Sequence, residues 1–279
     1  MKTPRQELLS SVPDGVLVAD SVTDISAASA GTVAVTGSHG AAASGRFAVS
    51  IGVSAAVFND AGGGFESAGL RALCELEAAC VPAAVVAHTS ARIGDGRDTF
   101  ESGIVSARND AAKALGVGVG MSCASAATLL TRSTATGTKT AGAKFHDSRF
   151  SIGDHLVATL DSASQIEPSL LNHVVVTGSH GGLVGNSPTR ALKHPVRFAA
   201  FNDAGVGKEN AGISRLSPLD DQGISAVAVS SSSAEIGSGL STLEQGIVSS
   251  VNEFARAEGA VPGMALIDLI EALSAAPNA

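Results

Sequence analysis

The chain has 279 residues, of which 44% are hydrophobic, and its formal net charge at pH 7 is −8. This composition excludes a disordered chain, and apolar runs such as residues 82–87 are too short for a membrane helix. The negative charge and the absence of Trp and Tyr argue against a nucleic-acid partner. Residues 1–15 lack the apolar core of a secretory signal. We therefore expect a cytoplasmic globular protein that binds a small-molecule substrate, and a homo-oligomer remains open.

Short β-branched runs alternate with helical segments along the chain. In the first part the predicted strands are residues 16–19, 32–36, 55–58 and 83–88, and the predicted helices are residues 66–79, 99–115 and 123–131. In the second part the predicted strands are residues 173–177, 197–201 and 224–229, and the predicted helices are residues 210–221, 240–258 and 262–272. This alternation predicts right-handed crossovers and mainly parallel sheets covered by helices on both faces.

The chain contains a tandem duplication. Residues 35–40 (VTGSHG) return as residues 176–181, and residues 58–62 (FNDAG) return as residues 201–205. The hydrophobic pattern alone is enough to maintain a fold, so polar residues kept in both copies need a separate reason. We interpret that reason as a functional site.

The duplication also predicts the domain organisation. Residues 1–132 form a first α/β repeat, residues 133–152 a linker and residues 153–279 a second α/β repeat. The predicted fold is α/β, with two doubly wound, mainly parallel-sheet halves related by a pseudo-twofold axis. One continuous sheet is the variant that the sequence also allows.

Every repeated polar motif follows a predicted strand, and open parallel sheets bind ligands at the carboxyl ends of their strands. The motifs therefore supply the candidate site residues. The predicted catalytic residues are Ser38, His39, Asp60, Ser179, His180 and Asp203. The predicted substrate-binding residues are Gly37, Gly40, Asn59, Arg92, Gly178, Gly181, Asn202 and Ser233.

These residue types suit acid–base chemistry on a small polar, anionic molecule. A histidine acts as base or acid with an aspartate as its orienting partner, and a serine acts as nucleophile or anion contact. Backbone N–H groups of the glycine turns and the Asn amides would hold negative charge. Arg92, which aligns with Glu235 in the repeat, would anchor the substrate in one half only. The same motifs also fit a structural role as capped turns.

The segment of residues 186–194 contains several basic side chains that the first half lacks, and it is either a solvated helix face or a lid. The predicted reaction is hydrolysis of a small amide or ester, which Ser, His and Asp can perform without a redox cofactor. A cofactor-free lyase or isomerase and a non-catalytic small-anion-binding protein are the alternatives. No cofactor is predicted. A divalent metal is a minority alternative, with His39, Asp60, His180 and Asp203 as its ligands if the halves bring them together.

Overall fold

The computed structural model describes residues 12–135 and 145–273, which form two β-sheets flanked by helices. The strands are β1 (Val16–Ala19), β2 (Val33–His39), β3 (Ala55–Asn59), β4 (Ala83–Val86), β5 (Val105–Arg108), β6 (Asp147–Ile152), β7 (His155–Leu160), β8 (Val174–His180), β9 (Phe198–Asn202), β10 (Ser225–Val229) and β11 (Val248–Val251). The helices are α1 (Ala42–Ile51), α2 (Ala72–Ala78), α3 (Gly96–Ser102), α4 (Asp110–Ala114), α5 (Cys123–Leu130), α6 (Leu216–Asp221), α7 (Gly239–Gln245), α8 (Glu253–Ala257) and α9 (Leu266–Ala272). The 3₁₀ turns are Val22–Asp24, Ala27–Ser29, Phe65–Leu70, Ala163–Gln165, Pro168–Leu170, Val184–Asn186, Pro188–Arg190 and Lys208–Ile213. Within the described ranges, no helix is long and apolar enough to cross a membrane.

The two sheets have corresponding strand orders. The first runs β1-β2-β3-β4-β5 and the second runs β6-β7-β8-β9-β10-β11. Strands β1 to β4 are parallel to one another, as are β7 to β10, whereas β5, β6 and β11 are antiparallel edge strands. The predicted α/β fold with two mainly parallel sheets is confirmed. The pseudo-twofold relation between the halves stays a prediction.

The central strands of each sheet are buried on both faces. In β3, Ala55 and Val57 belong to one hydrophobic cluster, whereas Ala56 and Phe58 belong to another. Successive side chains of a strand point to opposite faces, so the two clusters lie on the two sides of the sheet. Strand β9 divides its side chains between two clusters in the same way. The continuous apolar runs of the sequence are therefore strands covered on both faces.

The two halves contact each other through reciprocal hydrogen bonds. The Phe65 N–H donates to the Ser231 carbonyl over 2.7 Å, and the Lys208 N–H donates to the His88 carbonyl over 2.9 Å. These positions correspond to each other in the repeat. A cluster of mostly small apolar residues also draws on both halves: Ala41, Ala61, Ala68, Ile93, Ala204, Ala211 and Ile236. The main-chain contacts therefore fix the strand ends of one half against those of the other.

The prediction of single helices over residues 99–115 and 240–258 is wrong, because each range contains an edge strand. Helix α3 ends at Ser102, where Gly103 adopts extended backbone with φ −60° and ψ 137°. After β5, the side-chain oxygen of Asn109 accepts a hydrogen bond from the Ala112 N–H over 2.9 Å and begins α4. In the second half, Gly246 adopts extended backbone at the end of α7, and the Asn252 side chain caps the start of α8.

The sequence prediction does not contain strands β5, β6, β7 and β11 or helix α1. Strand β6 lies inside the predicted linker, residues 133–152, and pairs with β7. Residues 136–144 of that linker lie outside the described ranges. Helix α1 follows the first Ser-His motif, whereas residues 184–190 after the second motif form two 3₁₀ turns. The halves therefore differ in the segment directly after the repeated motif.

Candidate functional site

A cavity of about 690 Å³, here called the main cavity, lies between the two halves. Both Ser-His motifs line it, since β2 ends at His39 and β8 ends at His180. The charged and polar side chains of its lining include Ser38, His39, Asp161, Ser179, His180, Arg190, Lys193 and Arg215. The structure thus brings the two copies of the motif to one shared space.

His39 and His180 are buried, and their rings meet edge to face with centroids 6.2 Å apart. Nδ1 of His180 accepts a hydrogen bond from the Gly182 N–H over 3.1 Å, and Nδ1 of His39 accepts a longer one from the Ala41 N–H over 3.4 Å. Because Nδ1 is the acceptor, the proton of each neutral imidazole lies on Nε2. In the described part of the chain, no acceptor is bonded to either Nε2. Each ring can therefore donate a hydrogen bond to a ligand.

Burial keeps both imidazoles neutral at pH 7. It lowers the pKa of His39 to about 4. Burial, together with the neighbouring Arg215 and His39, lowers the pKa of His180 well below its usual value. A neutral imidazole can polarise a carbonyl oxygen by donating a hydrogen bond to it.

We expect acid to destabilise the protein partly through these histidines. Below pH 6.5 His39 is protonated in the unfolded chain but stays neutral in the folded protein. The free energy of unfolding therefore falls as the pH decreases. For His39 alone the loss is about 2 kcal/mol between pH 7 and pH 5. Urea unfolding at pH 7, 6 and 5 measures it. The His39→Asn variant should show a shallower pH dependence, and an unchanged slope would contradict the assignment.

The serine hydroxyls of the motifs are bound by the backbone. Ser38 Oγ accepts a hydrogen bond from the Val22 N–H, and Ser179 Oγ accepts one from the Ala163 N–H, each over 2.9 Å. Neither hydroxyl is hydrogen-bonded to a histidine of the described ranges. A nucleophilic serine needs its base within hydrogen-bond reach. The predicted Ser-His pairing is therefore not formed in this structure.

Arg215 places a buried positive charge in the lining of the main cavity. Its Nη2 donates to the Gly182 carbonyl over 2.9 Å, and its guanidinium lies 4.7 Å from the centroid of the Phe201 ring. No described carboxylate forms an ion pair with it. Burial and the nearby Arg190 lower the pKa of Arg215 to about 10, which still leaves it protonated at pH 7. A buried cation without a counter-ion favours an anionic ligand.

The sequence prediction missed Arg215, although the repeat contains a signal for it. In the repeat register, Arg215 corresponds to Ala72. Helix α1 packs closely against Ala72 in the first half, where a side chain on Gly45 would meet the Ala72 backbone. The second half has no helix in the corresponding segment, which leaves room for an arginine. The replacement of the small Ala72 of the first half by the charged Arg215 in the second half is a difference between the copies that would have identified Arg215 as a candidate.

Residues 184–193 form one wall of the main cavity. Arg190 of this segment pairs with Asp24 over 2.8 Å and with Asp20 over 3.5 Å. These ion pairs join the second half to the first and neutralise Arg190. Lys193, which is exposed, adds a further positive charge to the lining. The segment is part of the cavity wall and not a solvated helix face.

Asp60 contacts His88 instead of His39, and it does not line the main cavity. Asp60 Oδ1 lies 3.0 Å from Nδ1 of His88, and Oδ2 accepts a hydrogen bond from Ser106 over 2.8 Å. Burial alone would raise the pKa of Asp60, but the hydrogen bonds from His88 and Ser106 outweigh it and lower the pKa. The same contact raises the pKa of His88. The predicted orientation of His39 by Asp60 is therefore not formed.

Asp203, Asn59 and Asn202 stabilise the turns that follow β3 and β9. Asp203 Oδ1 accepts a hydrogen bond from the Ser231 N–H over 2.9 Å. The side-chain amides of Asn59 and Asn202 donate to the carbonyls of Ala91 and Ala234, in the loops after β4 and β10, over 3.0 and 3.1 Å. These bonds occur in both halves, so a structural role in the turns accounts for the repetition of the Asn-Asp motif.

Arg92 and Ser233 also lie outside the lining of the main cavity. The Arg92 guanidinium forms ion pairs with Asp95, Asp98 and Glu209 at 3.3, 3.4 and 3.0 Å. The Ser233 hydroxyl bonds to two backbone groups. Arg92 is thus neutralised by the protein itself.

The glycines of the motifs have packing roles. The N–H groups of Gly40 and Gly181 donate over 2.8 Å to the carbonyls of the Asn residues that end the neighbouring strands. Gly37 and Gly178 lie inside β2 and β8, where the backbone of a following loop approaches too closely for a side chain. The predicted anion nest of free glycine N–H groups is therefore not formed.

The two-histidine, two-carboxylate metal site that the sequence offers as an alternative is not assembled in this structure. His39 and His180 share the main cavity, but Asp60 and Asp203 lie at the turns described above. Across residues 12–135 and 145–273, no group of three or more His, Cys, Asp or Glu side chains is placed to hold a metal ion.

Comparison of the chain with known proteins gives no functional information. No protein family, no curated protein and no solved structure matches the chain. The functional conclusion therefore depends on the residues of the main cavity.

Proposed function

We propose that the protein is an enzyme that binds a small anionic molecule in the main cavity and acts on it by acid–base chemistry. One observation carries the proposal: Arg215, a buried cation without a described carboxylate partner, lines the same cavity as two neutral imidazoles. A carboxylate or phosphate would satisfy the charge of Arg215 through charge-assisted hydrogen bonds. His39 and His180 would then donate from Nε2 to an oxygen of the bound molecule.

Polarisation of a carbonyl group fits these side chains better than attack by Ser38 or Ser179. Neutral imidazoles that donate to a carbonyl oxygen stabilise the negative charge that develops there. Ser38 and Ser179 have no imidazole hydrogen-bonded to them among the described residues. A lyase or isomerase reaction therefore has more support than hydrolysis of an amide or ester by Ser, His and Asp.

Replacement of either histidine by asparagine tests the catalytic role. The side-chain oxygen of asparagine can accept the backbone N–H hydrogen bond that Nδ1 of the histidine accepts, so the turn is preserved. The asparagine side chain is too short to replace the Nε2–H donor. We expect His39→Asn and His180→Asn each to lower turnover by about 100-fold or more, with affinity changed far less. Small carboxylates and phosphates are tested for binding by calorimetry, and bound compounds are followed for conversion by proton NMR.

His194→Asn is the matched control, because His194 belongs to the same segment as Arg190 but does not line the main cavity. It should leave both binding and turnover unchanged. Compounds that bind to the wild-type protein without being converted would show a binding protein and would overturn the enzymatic part of the proposal.

A further inference from the structure

The lining of the main cavity contains two buried groups of opposite charge that do not pair with each other. Arg215 is 3% exposed and Asp161 is 9% exposed. Within residues 12–135 and 145–273, neither of them forms an ion pair with any side chain. Each unpaired buried charge is costly unless a ligand compensates it.

Asp161 differs from its counterpart in the first half. One oxygen of Asp161 accepts a hydrogen bond from the His146 N–H over 2.9 Å, and no described donor reaches the other. Asp20, which aligns with Asp161 in the repeat, accepts from the Gly96 N–H over 3.2 Å and pairs with Arg190. The first-half carboxylate is thus compensated by the protein, whereas one oxygen of Asp161, which lines the main cavity and a smaller neighbouring cavity, has no described partner.

We infer that the ligand of the main cavity is a zwitterion, a small amino carboxylate whose carboxylate pairs with Arg215 and whose ammonium group pairs with Asp161. One such molecule compensates both unpaired charges, whereas a simple anion would leave the Asp161 carboxylate unpaired beside it. The cavity volume of about 690 Å³ is that of a small-molecule site. The inference rests on the proposed function and specifies its substrate class.

Matched pairs of ligands test the ammonium contact. Alanine, aspartate and glutamate are compared by calorimetry with propionate, succinate and glutarate, which have the same carboxylates without the amine. At least one amino carboxylate should bind about tenfold or more tightly than its amine-free partner. Asp161→Asn should remove this preference while keeping the shape of the side chain. Asp20→Asn, which removes the same charge outside the cavity lining, should retain it.

The outcomes separate the two proposals. Amine-free acids that bind as tightly as the amino carboxylates, or a preference that survives in Asp161→Asn, would overturn the zwitterion and leave the anion site intact. Failure of every compound of both series to bind would overturn the anion site as well. The thermal unfolding midpoint of each variant is measured to distinguish a loss of binding from a loss of the folded state.

Discussion

Arg215→Met is expected to weaken the binding of small anions by about 100-fold or more, or roughly 3 kcal/mol. Methionine keeps an unbranched apolar stem against Phe201 but removes the charge from the cavity. Calorimetric titration with malonate and with phosphate measures the loss. Without ligand, the free energy of unfolding of the variant should lie within about 1–2 kcal/mol of the wild-type value. The variant loses the hydrogen bonds to the Gly182 carbonyl, which destabilises it, but it also loses an unpaired buried charge, which stabilises it.

Arg190→Met provides the matched control for this experiment. Arg190 lines the same cavity, but Asp24 and Asp20 already neutralise it. We expect its replacement to weaken anion binding by less than about tenfold. Equal losses in the two variants would show a general effect of positive charge, and an unchanged affinity in Arg215→Met would contradict the assignment of Arg215 as the anchor.

Gly178→Ala is expected to destabilise the protein by at least about 3 kcal/mol. A Cβ atom at this position would overlap the backbone nitrogen of Ser238 and lie 2.5 Å from the Gly237 carbonyl carbon. Both contacts are with backbone, which cannot move aside as a flexible side chain would. The free energy of unfolding in urea measures the effect, and failure of the variant to fold is the extreme form of the same result.

Gly118→Ala is the control for the glycine prediction. No atom lies within 4 Å of the position that its Cβ would occupy. We expect a change within about 0.5 kcal/mol, since the substitution mainly restricts the unfolded chain. Similar destabilisation in both variants would refute close backbone packing as the reason for glycine in the Gly-Ser-His-Gly motif.

The strand ends could be predicted from the sequence because each β-branched run stops at a polar motif. Parallel strands place their carboxyl ends at one edge, so the motif histidines His39 and His180 could be predicted to lie at the strand ends, and the structure shows that both line the main cavity. The side chains that neutralise a candidate residue could not be foreseen. Arg92 pairs with Glu209, which is 117 positions away, and Asp60 pairs with His88. These contacts depend on the packing of loops and of one half against the other.

The two long helices were misread for a local reason. Residues 99–115 have helical composition, but the extended conformation of Gly103 ends helix α3 before the edge strand β5 begins. A four-residue strand is too short to show a clear alternation, and the apolar positions of its neighbours dominate the pattern. The missing equivalent of α1 in the second half, which leaves room for Arg215, also follows from packing that the sequence pattern does not show.

The central claim is that a small anion binds between the two Ser-His motifs, and imidazole NMR tests it most directly. Malonate or phosphate is titrated into the protein while the ring nitrogen resonances of His39 and His180 are followed. Both sets of resonances should shift together and saturate at one dissociation constant, which should be about 100-fold higher in Arg215→Met. Resonances that do not respond to either anion, or that respond equally in Arg215→Met, would contradict the claim.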